Sequence, residues 1–97
     1  MDPYENKTRR YRNKNMIVHR FFDNTHIRVR KVQVTGESKY EKVARVQKET
    51  CGYCIYRYMG KWNPEVCVGY ARSLQEAVIA VALLNELGVE DVPQITE

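Results

Sequence analysis

Short runs of β-branched and aromatic residues follow one another from Met16 onward, and a turn-forming segment closes each run. The first run, MIVHRFF, is followed by DNT and then by HIRVRKVQVT, which ends at Gly36. Runs of this length between turn residues are typical of β-strands. The pattern predicts a β-hairpin over residues 16–36.

Three further runs come after the turn GESK. They are KVARVQK, YCIYRYM and EVCVGYA, separated by the segments ETCG and GKWNP. Connections this short favour antiparallel neighbours. We therefore expect a three-stranded antiparallel sheet that begins after the hairpin.

A helix is predicted from Ser73 to Leu87. Ser73 is a good N-cap, Glu76 stands three residues later as in a capping box, and Gly88 would supply a left-handed stop. Residues 77–84 are all apolar. A helix of this kind is buried on more than one side, so we expect it to pack on the sheet and also against the hairpin or a second subunit.

The predicted fold class is α+β: a three-stranded antiparallel sheet packed on one C-terminal helix, preceded by a β-hairpin and a basic arm. Residues 1–15 lack apolar periodicity and are expected to form a flexible basic arm. The hairpin covers residues 16–36, the sheet plus helix residues 37–90, and an acidic tail residues 91–97.

No apolar run reaches the roughly 20 residues that span a bilayer, so we expect no membrane partner. The three cysteines do not form the even, dense set of a secreted disulfide framework. A reducing compartment, nuclear or cytoplasmic, is therefore predicted.

The net charge of +4 hides a strong asymmetry along the chain. Residues 1–48 contain 13 Lys and Arg against 5 Asp and Glu, a net charge of +8. Residues 49–97 contain 3 against 7, a net charge of −4. A concentrated positive half attracts polyanions, although a solvated basic face is the alternative.

Several short motifs follow residue 38 in a fixed order. They are Ser38-Lys39-Tyr40, Val43, Gly52-Tyr53, Gly69-Tyr70, Ser73, Glu76-Ala77 and Ala80. In order and spacing they resemble the Apetala-two/ethylene-response-factor type of DNA-binding domain over residues 38–88, about half of the chain. The resemblance implies a three-stranded sheet that lies in the major groove, with outward Arg and Trp side chains on bases and phosphates.

The positions where that family places outward cations are occupied differently in this chain. They hold Glu41, Ala44, Val46 and Lys48 in the first strand, and Glu65 and Cys67 in the third. A slip of one residue would instead turn Arg45, Gln47 and Arg57 outward, because side chains alternate along a strand. The sequence leaves this register open.

Two interpretations follow from the open register. In one, cations on the sheet and in the arm bind nucleic acid, and Tyr53, Tyr56 and Tyr58 stack on bases or pack in the core. In the other, a sheet face made nearly uncharged by Ala44, Val46 and Cys67 binds a protein.

Cys51 and Cys54 have the spacing of a zinc knuckle. Cys67, His19 and His26 would be available to complete four ligands. A single knuckle is a weak motif, and buried thiols are the alternative, so we expect no metal and no cofactor.

The sequence contains no recognisable nucleophile with its base, no paired carboxylates and no Gly-rich phosphate loop. We therefore expect a protein that is not an enzyme and has no small-molecule substrate. The prediction is a DNA-binding protein, for double-stranded DNA and with a regulatory role. The residues predicted to bind nucleic acid are Arg9, Arg10, Arg12, Arg28, Arg30, Arg45, Lys48 and Arg57.

The alternative is a protein-binding interaction module, such as a small viral or regulatory factor, that uses the fold without base contacts. Under either interpretation, the second apolar side of the helix is a candidate surface for a homodimer or a protein partner.

Overall fold

The structure is a computed structural model that describes residues 8–96. The strands are β1 (Thr8–Arg12), β2 (Met16–Phe21), β3 (Asn24–Val32), β4 (Ser38–Glu49), β5 (Gly52–Arg57) and β6 (Val66–Ala71). They are followed by helix α1 (Leu74–Leu84) and a 3₁₀ turn (Val89–Asp91). The six strands form one antiparallel sheet in the order in which they occur along the chain.

The predicted fold class is wrong in its sheet. An antiparallel sheet with a helix is present, but it has six strands, and β2 and β3 belong to it instead of forming a separate hairpin. The reason is the turn between β3 and β4, where Gln33 N donates to the carbonyl of Glu37 at 2.7 Å and Gly36 has a φ of 88°. A turn this tight makes the two strands direct neighbours, so they pair along the whole length of β3.

Strand β1 lies where the basic arm was expected. Residues 8–12 pair with β2, and Tyr11 turns toward the core, where its hydroxyl donates to the carbonyl of Thr96. The arm prediction is therefore wrong for these residues. Tyr11 is the only apolar side chain that β1 directs toward the core, so the strand shows no alternation of apolar and polar residues. The sequence pattern therefore does not predict it. Residues 1–7 lie outside the described part of the chain.

A β-bulge at Val43 changes the alternation of side chains along β4. Ile27 pairs with Ala44 and Arg28 with Lys42, so Val43 is the extra residue between them. An extra residue shifts the strand by one position. Lys42 and Arg45, three residues apart, consequently point to the same face of the sheet.

The core lies between α1 and one face of the sheet. Its buried side chains are Met16, Val18, Ile27, Val29, Ala44, Val46, Tyr53, Ile55, Ala71, Leu74, Ala77, Val78, Val81, Ala82 and Ile95. Burying one aliphatic side chain of this size stabilises a fold by about 1.5–3 kcal/mol. Met16 and Val18 of β2 belong to the same core as the helix. The helix itself packs mainly on β4, β5 and β6 and against the 3₁₀ turn that follows it.

Only the end of the helix keeps apolar side chains in solvent. Leu83 and Leu84 are 57% and 60% exposed. The homodimer or protein partner predicted through the helix would have this end available, and it stays a prediction.

The helix ends differ from the sequence prediction. Ser73 Oγ accepts from Glu76 N at 3.1 Å, which confirms the N-cap, but the Glu76 carboxylate accepts from Arg72 N rather than from Ser73 N. The helix stops at Leu84, and the left-handed residue after it is Glu86, with a φ of 63°. The predicted stop at Gly88 is wrong, because the chain has already turned before it.

The tail after the helix packs beneath the turn between β1 and β2. Asn13 Nδ2 donates to the carbonyl of Asp91 at 2.7 Å, and Ile95 N donates to Gln75 Oε1 at 2.6 Å. Ile95 is 8% exposed. These contacts close the core at the end that α1 leaves open. Over residues 8–96, no helix is long and apolar enough to cross a membrane.

Candidate nucleic-acid interface

The sheet face opposite α1 is exposed to solvent, and we call it the open face. The register of β4 decides which residues lie there: Ala44 and Val46 are buried beneath the helix, at 3% and 0% exposure, so Arg45 and Gln47 point to the open face. The uncharged face proposed for a protein partner is therefore not available at Ala44 and Val46. The alternation that buries these two residues is the same alternation that exposes the cations.

Most side chains on the open face form three rows that cross the strands, and Arg30 lies beyond the first row, opposite Tyr40. The first row holds Arg12, Ile17, Arg28 and Lys42. The second row holds Arg10, His19, His26, Arg45, Tyr56 and Cys67. The third row holds Thr8, Phe21, Asn24, Gln47, Cys54 and Tyr70. Neighbouring strands are about 4.8 Å apart and neighbouring rows about 7 Å apart.

The open face collects most of the residues predicted to bind nucleic acid. Five of the eight lie on it: Arg10, Arg12, Arg28, Arg30 and Arg45. The other three, Arg9, Lys48 and Arg57, lie on the helix side of the sheet, opposite Arg20, Tyr53 and Ala44. The structure thus separates arginines that are adjacent in sequence, such as Arg9 and Arg10, onto opposite faces.

Sequence reasoning missed several members of the open face. Lys42 was overlooked because the bulge at Val43 breaks the alternation that would have linked it to Arg45. His19 and His26 were named only as possible zinc ligands, yet the structure places them directly opposite each other in the second row. The short DNT turn was the available indication, because it makes β2 and β3 direct neighbours.

Arg45 is held by several contacts at the centre of the open face. Its Nε lies 3.0 Å from Glu65 Oε2, and its Nη1 donates to Asn24 Oδ1 at 2.6 Å and to Gln47 Oε1 at 2.8 Å. Its guanidinium also lies over the ring of Tyr56, 4.5 Å from the centroid. The side chain is 20% exposed. Arg45 is therefore pre-positioned, with part of its charge offset by one carboxylate.

Tyrosine rings occupy the β5–β6 side of the open face. Lys42 Nζ lies 4.8 Å from the centroid of the Tyr58 ring, so Tyr58 continues the first row as Tyr56 continues the second. Tyr70, in the third row, is 55% exposed. Tyr53 is different, because it is 6% exposed in the core on the other face and cannot stack on a base.

Tyr70 rests against a glycine on the neighbouring strand. A Cβ built on Gly52 would lie 2.7 Å from Tyr70 Oη and 2.6 Å from the carbonyl oxygen of Ala71. Only glycine leaves room for this close approach. The ring is thereby supported from below while more than half of the residue stays in solvent.

The two histidines in the second row have lowered pKa values. Partial burial lowers the pKa of His19 below its ordinary value of 6.5, and the charges of Arg10 and Arg28 lower it further. Partial burial likewise lowers the pKa of His26. Its pKa is lowered further by the nearby charges of Lys42, Arg45, Arg28 and His19. Both shifts favour the neutral imidazole in the unbound protein.

The cysteines lie near this face but do not form a metal site. Cys51 and Cys67 are exposed, Cys54 is half-buried, and all three are free thiols. Burial raises the pKa of Cys54, and the carboxylate of Glu49 raises it further. Within residues 8–96 no group of three or more His, Cys, Asp or Glu side chains is placed to hold a metal ion. The zinc hypothesis therefore gains no support from the geometry.

Comparison of the chain with protein-family models, with curated proteins and with solved structures finds no match. The resemblance of residues 38–88 to the Apetala-two/ethylene-response-factor domain stays a prediction that these comparisons do not test.

Proposed function

We propose that the protein binds nucleic acid through the open face, as a binding protein and not as an enzyme. The observation that supports this most strongly is the grouping of six cations on one side of the sheet. They are Arg10, Arg12, Arg28, Arg30, Lys42 and Arg45. A surface of this kind gains affinity for a polyanion by releasing its condensed counterions.

The spacing of these cations suits a polymer of phosphates. In the second row, Arg10 on β1 and Arg45 on β4 are three strand intervals apart. At about 4.8 Å for each interval the separation is roughly 14 Å. A single small anion cannot contact both ends of such a row, whereas a strand with regularly repeating phosphates can.

The negative side chains lie at the margin of the same face. Glu65 contacts Arg45 from the segment before β6, and Glu49 accepts from Gln47 Nε2 at 3.2 Å at the end of β4. Glu65 stands beside β6, and Glu49 is the last residue of β4, beyond the third row. The positive region on β1–β4 is therefore left free to attract phosphates.

The width of the sheet limits how it meets DNA. Five intervals of about 4.8 Å place the outer strands roughly 24 Å apart, and the major groove is about 12 Å wide. The whole sheet cannot enter the groove in the way that the resemblance implies for three strands. We therefore propose that nucleic acid contacts the exposed surface of the open face and that the sheet does not insert into the major groove. A regulatory role and a nuclear or cytoplasmic location stay predictions.

The experiment that tests the proposal exploits neighbouring arginines that point in opposite directions. Fluorescence anisotropy of labelled oligonucleotides over a salt series would compare the Arg10→Gln/Arg28→Gln protein with Arg9→Gln/Arg57→Gln. Both double variants lose the same charge. We expect Arg10→Gln/Arg28→Gln, which lies on the open face, to bind at least about fivefold more weakly than the unmodified protein. The slope of log affinity against log salt concentration should become less steep by about 0.7–0.9 for each lost phosphate contact.

The control pair retains the open face and should stay close to the unmodified protein. Equal losses in the two pairs would show that only the total charge matters. Absence of binding by the unmodified protein at low salt would overturn the proposal.

A further inference from the structure

We infer that the ligand of the open face is a single nucleic-acid strand, whose bases stack on a ladder of tyrosines while its phosphates lie on the neighbouring cations. The tyrosine ladder consists of Tyr58, Tyr56 and Tyr70. This inference rests on the proposed function and specifies the class of its ligand.

The ladder has a regular geometry. Tyr58, Tyr56 and Tyr70 belong to the first, second and third rows, so each ring is one row further along the sheet. Consecutive rows are two residues apart, or about 7 Å. An extended single strand can therefore present one base to each ring, and such stacking is independent of sequence because every base has a π-face.

Two of the three rings are combined with a cation. Arg45 lies over Tyr56 and Lys42 over Tyr58, at 4.5 and 4.8 Å from the ring centroids. A guanidinium plane stacked on a ring is itself a platform for a base, and single-strand recognition uses both kinds of surface. Contacts of this type orient the rings before the ligand arrives, which reduces the ordering cost of binding.

The third ring of the ladder is the most open. Tyr70 rests on the backbone at Gly52 and is 55% exposed, although its strand is otherwise part of a folded sheet. An aromatic ring supported from below and open above is well placed to receive a flat partner. A duplex cannot use this surface along its length, because the faces of its bases are already covered by the stack.

Cations and rings occupy different strands of the open face. Arg28 lies on β3, and Lys42 and Arg45 lie on β4. The rings lie one to three strand intervals further on, about 5–14 Å away. This order places the sugar–phosphate backbone along β3 and β4, with its bases directed over β5 and β6. The strand would thus run nearly parallel to β4, across successive rows.

The test uses three labelled probes of the same length, about 12 nucleotides, which is within the usual site size of single-strand binders. These are oligothymidine, oligouridine and a mixed-sequence DNA duplex. We expect the full chain to bind at least one single strand about tenfold more tightly than the duplex at the same salt concentration. A preference for either sugar supports the inference, because the rings contact the bases.

Variants separate stacking from charge and from folding. Tyr70→Leu and Tyr56→Leu should each weaken single-strand binding about tenfold, and Tyr70→Phe should retain it because the ring remains. Trp62→Leu is the matched control: Trp62 is 88% exposed but lies outside the three rows. Thermal unfolding of each variant shows whether a loss of binding reflects a loss of fold.

The inference and the proposed function fail in different ways. Tighter binding to the duplex, or equal losses for Tyr70→Leu and Tyr70→Phe, would overturn the single-strand inference and leave nucleic-acid binding intact. A loss in Trp62→Leu as large as that in Tyr70→Leu would overturn the assignment to the ladder. Binding to none of the three probes would overturn both.

Discussion

Arg45 and Glu65 form an ion pair at the boundary between the cations and the tyrosines of the open face, with Nε 3.0 Å from Oε2. Glu65 precedes β6 and reaches across to β4. Their side chains are 20% and 31% exposed, so a phosphate can approach the pair from solvent. Glu65 therefore competes with any phosphate for the same guanidinium.

We expect Glu65→Gln to strengthen nucleic-acid binding about two- to fivefold. The change removes a negative charge that repels phosphate and frees Nε of Arg45 from its ion pair. Anisotropy titrations at low salt measure the gain. The control is Glu86→Gln, which makes the same change of net charge just after the helix, on the other side of the sheet. Equal gains in both variants would show that Arg45 is not part of the binding surface.

Gly52 leads to a prediction about stability. A side chain at this position would come within 2.6 Å of the carbonyl oxygen of Ala71, and backbone cannot move aside as a flexible side chain does. We expect Gly52→Ala to lower the free energy of unfolding by about 1–3 kcal/mol. Urea denaturation measures the change.

The facing strand offers a matched control for that variant. A Cβ at Gly69 would lie 3.6 Å from the nearest atom of Ile55, which is an ordinary contact. Gly69→Ala should therefore cost less than about 1 kcal/mol. If the two variants were equally stable, the close approach of Tyr70 and Ala71 to Gly52 would not be what constrains this position.

The start of the helix gives a further stability prediction. Ser73 Oγ accepts from Glu76 N at 3.1 Å. Ser73→Ala removes this acceptor and should lower the free energy of unfolding by about 1 kcal/mol, whereas Ser73→Asp keeps an acceptor and should retain most of the stability. Thermal unfolding followed by circular dichroism compares the three proteins. Equal losses for Ala and Asp would argue against a capping role.

Parts of the fold were predictable because their patterns are local. The alternating runs from Met16 to Ala71 lie in β2 to β6, and the N-cap at Ser73 was recognised from one residue type and its spacing. The single sheet was not predicted, because the sequence shows which segments are strands more clearly than which strands pair. In β1 only Tyr11 packs against the core, so the sequence of this strand shows no hydrophobic periodicity.

The candidate site was predictable in part for the same reason. The arginines were found from charge alone, but the face to which each belongs depends on register. Arg9 and Arg57 were therefore grouped with residues from which the sheet separates them. Lys42 required knowledge of the bulge at Val43, a tertiary feature without a sequence marker. The ladder required the pairing of β5 with β6, which places Tyr70 beside Cys54.

The paired histidines predict how stability depends on pH. The pKa values of His19 and His26 are lowered in the folded protein, first by burial and then by neighbouring cations. The ordinary pKa of histidine is 6.5, so below this pH the unfolded chain binds more protons than the folded one. The free energy of unfolding therefore decreases as the pH is lowered. Urea midpoints at pH 7.5 and 5.5 measure this loss. His19→Gln/His26→Gln should show a smaller loss, and an unchanged loss would point to other groups.

The same two histidines predict the opposite trend for nucleic-acid binding. His19 and His26 stand between Arg10 and Arg45 in the second row, so a bound phosphate would supply the negative charge that favours their protonated forms. Binding is then linked to proton uptake, and affinity should rise as pH falls below about 6.5 while stability declines. Anisotropy at constant ionic strength from pH 7.5 to 5.5 measures this rise. His19→Gln/His26→Gln should flatten it, because glutamine cannot gain a charge. A pH dependence that survives this double substitution would place the bound phosphates away from the second row.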